Sequence, residues 1–72
     1  MNATRLKTLG LNIKAERTRK NLSQEKLSEL IQVSMQTISQ IEQGKQTPSV
    51  FIIFDISNVL GISMEELFKG IE

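Results

Sequence analysis

The chain has 72 residues, 39% of them hydrophobic and 24% charged, with a formal net charge of +1; this is the make-up of one small globular domain rather than of a disordered segment. It has no cysteine, histidine, tryptophan or tyrosine, which removes disulfides, the usual zinc centres, His-based catalysis and most stacking platforms for single-stranded nucleic acid. The charge is uneven: residues 1–48 carry +4 and residues 49–72 carry −3, a basic front and an acidic back that suit a polyanion docking on one side.

The first helix is expected from near Leu6 to Lys20. Leu6, Leu9 and Ile13 fall on one stripe, and Asn21 is a left-handed stop. Arg17 continues that stripe one turn beyond Ile13, where a charge needs a buried partner or a route to water. Two short helices follow, opened by the same device. Ser23 is an N-cap with Leu22 stapling to Leu27, and Leu27, Leu30 and Ile31 form the apolar face. Ser34 repeats the pattern with Val33 and Ile38, and that helix ends at Gln43 with Gly44 beyond. Only Gln32 and Val33 separate Ile31 from Ser34, a joint that implies a wide crossing rather than a hairpin.

Pro48 and Ser49 open a fourth helix running to about Leu60, before Gly61. Ser63 and Glu66 form a capping box for a fifth, with Ile62 stapling to Leu67, which ends by Gly70. No stretch alternates with period two. The fold class is therefore all-α, five short helices around one core, with residues 1–72 as a single domain. No apolar run approaches the roughly 18 residues of a membrane span, and MNATRLKTLG lacks a signal-peptide core. The expectation is a complete cytoplasmic protein with no membrane contact, metal or cofactor.

The third helix carries the most telling pattern. Ile38 and Ile41 face inward, with Ser34 beside them. Gln36, Gln40 and Gln43 share the opposite face, flanked by Ser39, with Met35 and Thr37 near the helix start. That face has no charge, whereas a solvated helix face usually alternates Glu and Lys. Glutamine pairs a donor with an acceptor and fits the N6/N7 edge of adenine, while methionine and the threonine methyl suit a thymine methyl. Gln24, first in the second helix, sits where free N–H groups favour an anion, and Lys45 and Thr47 follow the third helix. An uncharged surface with no partner remains the bland alternative.

The run LSQEKLSELIQVSMQTISQIEQGKQTPS, Leu22 to Ser49, resembles the phage-repressor (Cro/CI-like, XRE-type) helix-turn-helix family, and SNVLGISMEELF, Ser57 to Phe68, is similar to its closing segment. The resemblance implies a lambda-repressor-like domain whose third helix enters the major groove of double-stranded DNA. By position it implies Met35, Gln36 and Gln40 as base readers, with Ser34, Thr37 and Ser39 nearby. Gln24, Gln43 and Lys45 match phosphate-contacting positions, and Arg17 and Glu42 match a partly buried ion pair joining the first and third helices.

The departures are specific. Gln32 stands where the family has glycine, at a cost of roughly 1–2 kcal/mol if φ is positive, and Ser28 stands where it has alanine. In the fourth helix Val50, Ile53, Ile56 and Leu60 match core positions, but Phe51 and Ile52 replace polar residues, leaving the helix apolar almost all round. Phe51, Ile52, Asp55 and Val59 are accordingly the expected subunit or partner interface. The function implied is a sequence-specific DNA-binding regulator, a repressor acting as a homodimer on a palindromic operator. The alternative is a protein-interaction module, an antitoxin or antirepressor type of partner on the same scaffold; nothing points to an enzyme.

Overall fold

The computed structural model describes residues 3–72. Its helices are α1 (Ala3–Arg19), α2 (Gln24–Ile31), α3 (Met35–Glu42), α4 (Val50–Leu60) and α5 (Met64–Leu67), and no strand occurs among the described residues. Each of α2 to α5 is opened by a serine in extended conformation: Ser23, Ser34, Ser49 and Ser63 accept from the backbone N–H three residues on. Such a cap satisfies one of the donors a helix start leaves free and contributes about 1 kcal/mol. At α5 the Glu66 carboxylate also accepts from the Ser63 N–H, completing a capping box.

Helices α1 to α4 all close alike. Asn21, Gln32, Gly44 and Gly61 adopt left-handed conformations with φ of 59°, 61°, 74° and 68°. The next N–H returns to a carbonyl five residues back: Leu22 to Arg17, Val33 to Ser28, Lys45 to Gln40 and Ile62 to Ser57. These are Schellman closures. Three joints then read left-handed residue, apolar residue, serine cap (Asn21-Leu22-Ser23, Gln32-Val33-Ser34, Gly61-Ile62-Ser63). Leu22, Val33 and Ile62 pack against the core, so each tightens the helix before it and staples the one after.

All five helices feed one core: Leu9 and Ile13, Leu27 and Ile31, Ile38 and Ile41, Ile53, Ile56 and Leu60, and Leu67. Ser28 and Ser57 are buried among them without an unmet hydroxyl, donating to the carbonyls of Glu25 and Phe54 three residues back.

Three expectations change. α1 begins at Ala3 rather than near Leu6, because residues 3–5 are exposed and leave no mark on the apolar period. Leu30 is 48% exposed: the buried arc of α2 runs through Leu27, Ile31 and Ser28, and Leu30 lies roughly 100° from its middle. Val50 is 65% exposed rather than in the core. It opens α4, and side chains there lean back toward the preceding loop, past the layer that Ile53 fills.

Candidate nucleic-acid interface

Ile38 and Ile41 pin α3 from behind and fix which side chains look outward. α1 sets its height, because Gly10 lies directly against the end of α3. A Cβ on Gly10 would sit 2.5 Å from the Glu42 carbonyl oxygen and 2.6 Å from that of Ile41. Only a bare backbone allows that approach.

The third constraint is polar. Arg17 donates from Nε to Glu42 Oε2 at 2.7 Å and from Nη2 to Oε1 at 3.1 Å, a two-pronged pair. Its Nη1 donates to the Leu22 carbonyl at 2.6 Å. Gln24 Nε2 donates to Glu42 Oε1 at 3.0 Å. The Glu42 side chain is 2% exposed, so both its oxygens are occupied and no free carboxylate remains on α3. One buried anion thus ties the C-terminal part of α1, the first residue of α2 and the last residue of α3 together.

With those fixed, the outer face of α3 divides into spent and unspent groups. The Ser34 hydroxyl caps the helix and bonds the Thr37 hydroxyl at 2.9 Å. Gln43 Nε2 donates to Ser39 Oγ at 2.8 Å. Among the described residues the amides of Gln36 and Gln40 and the ammonium of Lys45 make no side-chain hydrogen bond. Gln36 is exposed, Gln40 half-buried, and Met35 beside them is 52% exposed. Two free amides one helical turn apart, beside an exposed thioether and on a helix with no free carboxylate, can pair with base edges and would not repel phosphates.

The nine residues expected to contact DNA therefore lie on or beside one face, but in different states: Gln24, Ser34, Thr37, Ser39 and Gln43 hold one another or Glu42, while Met35, Gln36, Gln40 and Lys45 are uncommitted. Sequence reasoning missed the neighbour of this face on α1. Lys7 and Leu11 line a groove with Glu42, Gln43 and Lys45, a placement that needs the packing of α1 on α3 to become visible.

The residues expected at an interface split as well. Phe51 is 77% exposed and Asp55 is exposed, but Ile52 and Val59 are half-buried against the core. The outward apolar surface of α4 is instead Phe51 with Val50 and Phe54, the latter 55% exposed.

The helix-turn-helix family HTH_3 matches residues 13–67. An uncharacterized HTH-type transcriptional regulator of Methanocaldococcus jannaschii, MJ0272, is 41% identical over 56 residues, 78% of this chain and 85% of the relative. The HTH-type transcriptional activator BcrR of Enterococcus faecalis is 41% identical over the same length, which is 28% of that protein. Among solved structures, the restriction-modification controller protein C.AhdI of Aeromonas hydrophila superposes with a TM-score of 0.82 at 31% identity, covering 86% of this chain and 94% of that one. No helix among the described residues is long and apolar enough to cross a membrane. The chain belongs to the HTH_3 helix-turn-helix family of DNA-binding transcriptional regulators, and it is not an enzyme.

Proposed function

We propose that this chain is a single-domain, cytoplasmic repressor that binds a palindromic operator as a homodimer. The observation that carries the reading is the pair of uncommitted amides, Gln36 and Gln40, on a charge-free helix face held from behind by Ile38, Ile41 and the Arg17–Glu42 pair. In this reading Met35, Gln36 and Gln40 meet base edges, with the Met35 and Thr37 methyls against thymine. Gln24, Gln43 and Lys45 meet phosphates; Gln24 does so with the amide hydrogen it does not give to Glu42. One eight-residue helix reads too few bases to pick a site out of a genome, and a second copy doubles the contacts. Phe51 and Asp55, with Ile52 and Val59 at the edge, form the surface between copies. Repression needs only occupancy of a promoter and no contact with polymerase, which favours it over activation.

Selection of bound sites from a random duplex library tests the reading: it should return A·T-rich half-sites in inverted repeat, centred one helical turn, about 34 Å, apart. Gln36→Ala should relax preference at one position of each half-site, at a cost on the order of 1–3 kcal/mol. Lys45→Ala should weaken binding to every duplex alike and flatten its salt dependence. Recovery of no common sequence would remove the reading. The exposed Phe51 and Phe54 favour the second reading, an antitoxin- or antirepressor-type module that holds another protein, and a library that returns nothing would leave that one standing.

A further inference from the structure

We infer that α1 carries a phosphate-contacting site of its own, in which Lys7 and Lys45 grip the duplex backbone alongside the exposed side chain of Leu11. The inference rests on the reading of α3 as the base-contacting helix and adds an element to it.

The groove between α1 and the C-terminal end of α3 has a volume of about 390 Å³ and is lined by Lys7, Leu11, Glu42, Gln43 and Lys45. Two cations and one acid make it look nearly balanced, but the acid is spent. Glu42 is buried, and its oxygens already accept from Arg17 and Gln24. Neither Lys7 nor Lys45 has a carboxylate within salt-bridge distance among the described residues. The groove therefore presents two unneutralised ammonium groups.

Their placement is built in. A Cβ on Gly44 would lie 3.0 Å from the N, Cα and Cγ of Lys7, so the stem of Lys7 rests on the residue preceding Lys45. At the other three Schellman closures the residue after the left-handed position is apolar and packs on the core; here it is Lys45, exposed. Leu11, one turn beyond Lys7, is 63% exposed and lines the same groove as the two cations. A sugar-phosphate strand offers what that arrangement fits, an anion for the ammonium groups and a largely apolar deoxyribose for the leucine methyls. Gln43 belongs to both this groove and the amide face, so a duplex that takes α3 in its major groove brings a backbone along this edge. The C-terminal end of a helix carries partial negative charge and repels phosphate; a second cation at that end offsets the repulsion where Lys45 alone would meet it.

The test is binding of a mixed-sequence 30-base-pair duplex, followed by fluorescence anisotropy between about 50 and 200 mM salt. Lys7→Gln keeps the Cγ that packs on Gly44, and an unchanged thermal melt checks that it folds. It should lower the slope of log K against log salt by about 0.9 per bound protomer, shrinking the affinity lost across that range by about 3-fold. Lys7→Arg should restore the wild-type slope, and Lys69→Gln, near the far side of α1, should leave it unchanged. A wild-type slope in Lys7→Gln alongside a lowered one in Lys45→Ala would overturn the inference and leave the α3 reading intact. Equal losses from Lys7→Gln and Lys69→Gln would also overturn it, since net charge alone would then account for both. If the wild-type chain shows no salt-dependent binding to the duplex, the reading of α3 falls and takes this inference with it.

Discussion

Arg17 occupies a place where an apolar side chain would be expected, on the buried stripe of α1 and 12% exposed at its side chain. Its partner Glu42 is more buried still, so the two are not equivalent to delete. Removing the guanidinium leaves a carboxylate out of water with only Gln24 to bond it. Arg17→Met is expected to cost about 3–5 kcal/mol in urea unfolding, a large share of what a domain this size has. Arg17→Met combined with Glu42→Leu should recover most of that loss, because a packed apolar pair replaces a buried ionic one at little net cost. A double variant as unstable as the single one would show that the bonds to Leu22 and Gln24 carry the stability. The need for a partner was legible in the stripe, but its identity was not: Glu42 lies 25 positions away, and only the family resemblance pointed to it. The bond from Gln24 was hidden altogether, since glutamine is equally at home at a solvated helix start. Asn12 was hidden for the same reason, although its amide donates to the carbonyls of Leu67 and Lys69 at 2.9 and 2.8 Å and fastens the end of α5 to α1.

The helices themselves were largely legible, because their boundaries rest on local chemistry. Serine caps and left-handed stops act within a few residues, and every start from α2 to α5 falls where the caps place it. What the pattern left open was how far each apolar arc extends: Leu30 and Val50 belong to apolar runs, yet the packing partners do not reach them. Contact between helices was equally invisible, and Gly10 shows why. A glycine inside a helix ordinarily weakens it; in the fold Gly10 is where α1 meets the carbonyls of α3. Gly10→Ala should raise intrinsic helix propensity and still destabilise, by about 1–3 kcal/mol, since the obstructing atoms are backbone and cannot turn aside. That corresponds to a fall of roughly 4–8 °C in Tm for each kcal/mol. The variant should also lose affinity for an operator beyond what its lost stability accounts for, because α3 is pushed off its seat. Thermal melting alongside anisotropy would separate the two effects, and a Tm equal to wild type would refute the steric argument.

At the scale of the whole molecule, the described chain measures 29 × 22 × 20 Å, so two copies in contact are of the right size to span neighbouring turns of a duplex. The surface proposed between them is best probed at Phe51. A charge at Ile52 would disturb the core edge as well, whereas Phe51 is 77% exposed and free of that burden. Phe51→Lys should leave the Tm of a dilute sample near wild type and abolish self-association in sedimentation at high micromolar concentration. It should also weaken operator binding far more than binding to a single half-site. A wild-type chain that sediments as a monomer at that concentration would remove the dimer. This surface was only partly legible, because the sequence shows that α4 has apolar residues to spare without showing which of them the core consumes. The joints between helices carry a separate consequence. Each is closed by bonds reaching back no more than five residues, so the corners of the molecule can take shape before distant parts of the chain have met. Little loop entropy then stands in the way of assembly, and refolding on the microsecond-to-millisecond scale typical of local topologies is the kinetic signature to expect. A regulator built this way needs little time to regain its shape once it is lost.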